Sequence, residues 1–287
     1  MHTHGEECQV NGILGKVCIR IADEIKNIVV AITCLKKQEY SIIVVGEQIR
    51  ALRESLQEFP VRTDCRSFAG RRLYNLSMSF FPAGLGLHDP KRKSISTIVL
   101  GSDWGNENSF DKILDSSKHL SNSTERDANK MLIEAGFDVS DCFYSNAWPV
   151  MRAGGMKEQG HHAMRDDPDF TKAYQEFLKK TIEALSPKLV MSLGIPCGWF
   201  LGPFFGDDWK PGQKASPKNM RIKDFDDEPL RVRNEIVFVT ATHPSHLNNR
   251  THRKFKDFAN EIDLLVYARR KANIPDAHDW NMHRGQS

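Results

Sequence analysis

Short apolar runs alternate with amphipathic stretches along most of the chain. Apolar runs of about four to eight residues, bounded by turn residues, are typical of strands that are buried on both faces. Such runs predict strands at Ile95–Leu100, Val139–Ser145, Lys188–Leu193 and Ile236–Thr240. Apolar residues at helical spacing predict helices at Thr124–Ala135, Asp169–Leu185 and Thr251–Lys271. The alternation favours the α/β class, here a three-layer α/β/α domain around a central, mainly parallel, four-stranded sheet.

The pattern changes on either side of this alternating region. Apolar residues recur at helical spacing over two stretches of the first 60 residues, which predicts a helical N-terminal extension. We therefore divide the chain into an extension that packs on the main domain (1–90), the α/β domain (91–272) and a flexible tail (273–287). Inside the domain, the Pro-, Gly- and Lys-rich stretch 202–233 has no clear periodicity and is predicted to be a loop.

The composition excludes several classes of protein. The 287 residues are 40% hydrophobic and 27% charged, as in an ordinary globular protein. No apolar stretch reaches the roughly 20 residues that a membrane-spanning helix needs, so we expect no membrane association. The first residues lack a basic segment followed by an apolar one, and the six scattered cysteines suit reduced thiols. We therefore expect a cytoplasmic protein. Its net charge of +3 permits a nucleic acid partner without requiring one.

Three of the predicted strands lead to a side chain that could act on a ligand. Asp103 lies in a Gly-flanked turn just after the first strand, Asn146 ends the second, and His243 follows the last. Ligands of open α/β sheets bind at the carboxyl ends of the strands. We therefore expect Asp103, Asn146 and His243 to share one edge of the sheet and to form a common site.

The same segments resemble the motifs of the uracil-DNA glycosylase superfamily. Val99-Leu100-Gly101-Ser102-Asp103 is similar to the family's water-activating motif, and Tyr144-Ser145-Asn146 is similar to its base-reading strand. Val190-Met191-Ser192-Leu193-Gly194 resembles its structural strand, and His243-Pro244-Ser245-His246-Leu247 resembles its DNA-insertion loop. The motifs stand in the family's order and cover roughly residues 90–270, which is the size of a typical domain.

The resemblance implies a hydrolase that flips uracil, or a related damaged base, out of DNA and cleaves its N-glycosidic bond. Asp103 and His243 would then be catalytic. Asp103 would orient the attacking water and His243 would donate a hydrogen bond to the departing base, although the same position would let the imidazole attack the sugar covalently. The amide of Asn146 complements N3–H and O4 of uracil and leaves cytosine unpaired.

Other residues of the first motif are expected to hold the base. Gly101 and Ser102 would let the backbone approach it closely. The ring of Phe110, or in second place that of Trp104, would stack on the base.

Three residues of the insertion loop are expected to contact DNA. Leu247 would fill the gap that the flipped base leaves in the duplex, and Ser245 and Arg250 would contact phosphates. The expected partner is DNA that contains uracil or another damaged base. We expect the protein to act on it as a monomer, associated with the nucleoid if the source is bacterial.

Two features depart from other branches of the family. Asp103 is followed by Trp104-Gly105, where the best-known branch continues with Pro-Tyr, and this leaves open which groups exclude thymine. The cysteines contain no Cys-x-x-Cys pair, unlike the branches that carry an iron–sulfur cluster. We therefore expect neither a metal nor an organic cofactor.

Two alternative functions stay open on the residues alone. A catalytically silent or substrate-capturing nucleic-acid-binding module would keep the wedge but would not need Asp103 for binding. A hydrolase of small nucleosides would not depend on Leu247, and salt would affect it weakly. The candidate residues also have purely structural interpretations: Asp103 and Asn146 as turn residues, and Phe110 as part of the core.

Replacement of Leu247 distinguishes a DNA wedge from an ordinary apolar residue. A wedge is needed only where a base leaves a stacked duplex, so Leu247→Ala is expected to slow excision from double-stranded DNA by about tenfold. Excision of the same uracil from the unpaired strand should change much less. Single-turnover assays on one labelled strand, alone and annealed, make this comparison. Equal losses on both substrates would argue against a wedge.

Overall fold

Five strands form the central sheet, and two further short strands pair with each other separately. The computed structural model describes residues 47–48, 51–52, 55, 65–66, 95–102, 123–152, 167–205, 229–243 and 257–278. Its strands are β1 (Cys65–Arg66), β2 (Thr97–Gly101), β3 (Cys142–Asn146), β4 (Met151–Arg152), β5 (Leu189–Leu193), β6 (Leu230–Arg233) and β7 (Ile236–Ala241). The two-residue strands β1 and β4 pair with each other, antiparallel.

The central sheet has the strand order β3-β2-β5-β7-β6. The strands β2, β3, β5 and β7 are parallel, and β6 pairs antiparallel with β7 at one edge. The predicted α/β class and mainly parallel sheet are therefore confirmed, and the four predicted strands all form. The predicted number of four is wrong, because β6 adds a fifth strand.

The strand β6 lies in the segment that was predicted to be a loop. Its sequence Leu-Arg-Val-Arg carries two charges, and Val232 is 50% exposed, so it lacks the apolar run that marks a buried strand. It forms a hairpin with β7 through Asn234 and Glu235, whose φ angles are 49° and 67°. Positive φ at both central residues is typical of a type I′ turn, which suits the twist of a hairpin. Gly202–Phe205 forms a 3₁₀ turn, and residues 206–228 lie outside the described part.

Helices α1 (Ser123–Glu134), α2 (Pro168–Leu185), α3 (Ile195–Phe200) and α4 (Glu261–Lys271) accompany the sheet. The three predicted helices are present, whereas α3 was missed because a six-residue segment with Pro and Gly has low helix propensity. The predicted start of the last helix at Thr251 was too early. The side chain of Asn260 accepts a hydrogen bond from Asp263 N at 2.9 Å and caps the helix there, and residues 257–260 are not helical.

Helices pack on both faces of the sheet, which gives the predicted three layers. Because side chains alternate along a strand, each strand contributes to two separate apolar clusters. One cluster contains Ile98, Phe143 and Val190 of the sheet together with residues of α2 and α3. The other contains Val99 and Met191 with residues of α1 and α4. The sheet is therefore held in place from both sides.

Part of the predicted N-terminal extension contributes to the first of these clusters. Residues 51–52 are helical, and the side chain of Leu52 is buried in the cluster that includes Ile95. The described residues all belong to the unit Val45–Ser287, so the helices predicted before it lie outside the described part. The domain boundary at residue 90 stays a prediction. No helix in the described ranges is long and apolar enough to cross a membrane.

The beginning of the predicted flexible tail is docked on the domain. Ile274 is buried in the α1/α4 cluster, and Ala277 N donates to Gly136 O at 2.9 Å. Gly136 has a φ of 80°, and a Cβ atom there would lie 2.6 Å from Oδ1 of Asp276. Only glycine fits that position. The His278 ring lies 3.0 Å from Ile133 O, while residues 279–287 lie outside the described part.

A buried arginine of α4 joins this docked segment to the end of α1. The guanidinium of Arg269 donates to Ala135 O at 2.9 Å and to Ile274 O at 3.1 Å, and it forms a salt bridge with Asp276. Its side chain is 4% exposed. Such a buried cation is stable only because its donors are matched to acceptors.

The free energy of unfolding should depend strongly on Arg269. Arg269→Met is expected to lower it by about 2–4 kcal/mol, because two buried carbonyls and a carboxylate lose their donor. The matched control is Arg270→Met on the exposed side of the same helix, which should change it by less than about 0.5 kcal/mol. Urea denaturation followed by circular dichroism measures both variants. Similar losses in both would contradict the role of Arg269.

Candidate active site

The carboxyl ends of β2 and β3 lie side by side. Gly101, the last residue of β2, pairs with Asn146, the last residue of β3. The backbone bonds continue past the strands, since Trp148 N donates to Ser102 O at 3.0 Å. The residue that precedes Asp103 is thus tied to the backbone that follows Asn146. The ends of the first two motif segments, at Ser102 and Asn146, therefore lie next to each other at the edge of the sheet.

Asn146 is nearly inaccessible at this strand end. Its side chain is 4% exposed, and along β3 it shares a face with Cys142 and Tyr144. The Tyr144 hydroxyl donates to Oδ1 of Asn129 in α1, which fixes the strand against that helix. A buried amide of this kind presents a donor and an acceptor in a fixed orientation. This burial is unlike that of a residue in a surface turn.

Trp148 supports the segment after Asn146 from within the core. Its ring is fully buried and meets Phe200 edge to face at 5.2 Å between centroids. The indole Nε1 donates to Oγ1 of Thr171 in α2 at 3.3 Å. This packing fixes the backbone of Trp148, whose amide donates to Ser102 O.

His243 lies at the same edge of the sheet, beyond the end of β7. The last paired residue of that strand is Ala241, whose carbonyl accepts a hydrogen bond from Gly194 N at 2.7 Å. The next amide, of Thr242, donates to Oε1 of Glu261 in α4. His243 follows directly and is half-buried. The two residues directly before His243, Ala241 and Thr242, are thus both held by hydrogen bonds.

The strand order sets the separation between Asn146 and His243. Two strands, β2 and β5, lie between β3 and β7. Neighbouring strands are about 4.8 Å apart, so the backbones of the two residues are separated by roughly 14 Å along the edge. They are too far apart to contact each other, and the end of β2, which leads to Asp103, lies between them. A ligand at this edge could contact both from opposite sides.

The described part of the chain includes four of the predicted site residues: Gly101, Ser102, Asn146 and His243. The structure places all four at the carboxyl edge, and the first three are adjacent. The remaining predicted site residues lie outside the described part: Asp103, Trp104, Phe110, Ser245, Leu247 and Arg250. Their positions stay predictions.

Two residues at this edge were not anticipated from the sequence. Trp148 follows Asn146 closely and could have been suspected from its position after the strand. Glu261 had no local signal, because its partner Thr242 lies 19 residues earlier in the chain.

Metal ligation finds no support among the residues described. No group of three or more His, Cys, Asp or Glu side chains in these ranges lies close enough together to hold an ion. Cys142 and Cys197 are buried in the core, and Cys142 Sγ donates to Asp138 O at 3.6 Å. The expectation that no cofactor is needed stays a prediction for the chain as a whole.

Comparison with protein families matches residues 50–263 to the uracil DNA glycosylase superfamily. The match covers about three quarters of the chain and includes every described strand of the central sheet. The chain therefore belongs to this superfamily, as its motifs indicated. A search of curated proteins found no match. The family match begins well before the first motif, so it also takes in Leu52.

Proposed function

We propose that this protein is a DNA glycosylase that hydrolyses the N-glycosidic bond of uracil, or of a related damaged base, in DNA. One observation supports this most: the parallel register brings the backbone before Asp103 next to Asn146 and puts His243 at the same edge. These are the segments whose sequences resemble the family's motifs. The proposed partner is DNA, on which the protein acts as a monomer.

The reaction separates charge between the sugar and the base. As the bond from C1′ to the base breaks, positive charge develops on the deoxyribose and negative charge on the departing uracil. The carboxylate of Asp103 stabilises the cationic sugar and orients a water molecule towards C1′. The water adds to C1′ and loses its proton, and the uracil anion takes up a proton on leaving. Neither the addition of water to C1′ nor the departure of the base requires a metal.

Asn146 selects the base before cleavage. Its amide oxygen accepts from N3–H of uracil, and its amide NH₂ donates to O4. Cytosine has an acceptor at N3 and a donor at its exocyclic amine, so both contacts would be mismatched. An unmatched buried polar group costs about 1–3 kcal/mol, which corresponds to a factor of roughly 5 to 160 in rate. The burial of Asn146 supports this role, because a buried amide cannot turn freely to suit a second base.

His243 stabilises the departing base. Its imidazole N–H donates to O2 of uracil as negative charge develops on that oxygen. Its position across the edge from Asn146 suits this task, because the two residues would hold one base from opposite sides. In the covalent alternative, an imidazole nitrogen attacks C1′, the base leaves with the bonding electrons, and a protein–DNA adduct remains.

Replacement of Asp103 tests the proposed mechanism. Asp103→Asn is expected to slow excision by about 10²–10⁴-fold, the range typical of a lost general base. Binding to uracil-containing DNA should be unchanged or slightly tighter, because a negative charge near phosphates is removed. Single-turnover cleavage of a labelled oligonucleotide with one uracil, developed with alkali, measures excision. Fluorescence anisotropy on the same oligonucleotide measures binding.

The matched control is Asp169→Asn, an exposed carboxylate in the first turn of α2, which should excise uracil at the wild-type rate. Equal losses of excision and binding in Asp103→Asn would contradict the catalytic role proposed for Asp103. Salt-sensitive binding by an inactive wild type would instead favour a binding module. A covalent adduct that disappears in His243→Ala would make His243 the nucleophile.

A further inference from the structure

A buried carboxylate lies beside the segment that carries His243. Glu261 is the first residue of α4, yet its side chain is 6% exposed, although glutamate is rarely so buried. Its Oε1 accepts a hydrogen bond from the backbone amide of Thr242. That amide belongs to the residue directly before His243. A charged side chain is therefore buried at the point where the chain leaves the sheet for the candidate site.

Capping of the helix does not explain this carboxylate. The preceding residue, Asn260, already caps α4 by accepting from Asp263 N at 2.9 Å. A glutamate in the first turn of a helix interacts favourably with the helix dipole without being buried. The side chain of Glu261 is instead directed to the end of β7. Asn260 thus caps the helix, whereas its neighbour Glu261 binds the backbone at the end of β7.

The amide of Thr242 lies directly after the last residue of β7 that pairs with a neighbouring strand. The parallel pairing of β5 with β7 ends at Leu193 and Ala241. Beyond it, the carboxylate of Glu261 takes over as the acceptor for Thr242. Hydrogen bonds between an amide and a carboxylate are stronger than those between neutral groups. This contact therefore holds the backbone one residue beyond the paired strand, directly before His243.

We propose that Glu261 is a positioning residue for His243. By holding the amide of Thr242, it fixes the direction in which the backbone enters the insertion loop and thus the position of the imidazole over the departing base. The inference rests on the proposed function of the site. Displacement of a catalytic group by about 1 Å can reduce a rate by about 10²-fold, so a contact one residue away from the imidazole can control catalysis.

Three variants separate positioning from general stability. Glu261→Ala removes the acceptor and is expected to reduce the single-turnover rate of excision by at least about tenfold, with a much smaller change in DNA affinity. Glu261→Gln keeps an oxygen at the same place and should recover most of the rate. The matched control, Asn260→Ala, removes the helix cap of the same turn and should lower the melting temperature while leaving the rate unchanged.

Hydrogen exchange of the Thr242 amide gives a readout that does not depend on activity. The amide should exchange at least about tenfold faster in Glu261→Ala than in the wild type, and at nearly the wild-type rate in Glu261→Gln and Asn260→Ala. Should Glu261→Ala fail to fold, Glu261→Asp takes its place, because its shorter side chain withdraws the acceptor and keeps the charge. The same loss of rate and protection is expected for it.

The outcomes distinguish this inference from the proposed function. An excision rate in Glu261→Ala within about twofold of the wild type overturns the inference, as does an unchanged exchange rate of the Thr242 amide. A Glu261→Gln variant that is as slow as Glu261→Ala, with the amide still protected, overturns it too, since charge rather than position would then matter. If the wild type excises neither uracil nor another damaged base from DNA, the proposed function fails. The exchange rates then still decide whether Glu261 holds the strand end.

Discussion

The parallel pairing of β2 with its two neighbours is the constraint on which the candidate site depends. The register pairs Thr97 with Cys142 on one side and with Leu189 on the other, so all three strands end at the same level. A shift of one residue would turn the buried side chains of β3 to the opposite face and would move Asn146 away from Gly101. The apolar clusters on the two faces prevent such a shift, since each needs its own set of strand residues. The core therefore determines where the polar residues lie along the carboxyl edge of the sheet.

Much of the fold could be predicted because its central strands are buried on both faces. Apolar runs such as Ile98–Leu100 have few alternatives to a buried strand, and the residues that end them mark the edge where a site can form. The same reasoning placed Asn146 and His243 at one edge before any contact was known. Their roles came instead from the resemblance of their motifs to a family, and the family match agrees with that resemblance.

The features that were missed depend on contacts between distant residues or on exposed positions. The strand β6 is half charged and forms because β7 offers an open edge and the turn at Asn234 suits a hairpin. Nothing near Glu261 in the sequence shows that its carboxylate is buried against Thr242. The docking of residues 274–278 likewise depends on Arg269, whose acceptors lie in two distant parts of the chain, the end of α1 and the docked segment itself. Local patterns carry no information about such partners.

The central claim is that one base, held between Asn146 and His243, reacts at the carboxyl edge of the sheet. The most direct test is a crystal structure of the slow variant Asp103→Asn bound to duplex DNA with a single uracil. The account predicts a flipped uracil, with the amide of Asn146 about 3 Å from N3 and O4 and the imidazole of His243 about 3 Å from O2. A uracil that stays stacked in the duplex, or that binds away from these two side chains, would contradict it.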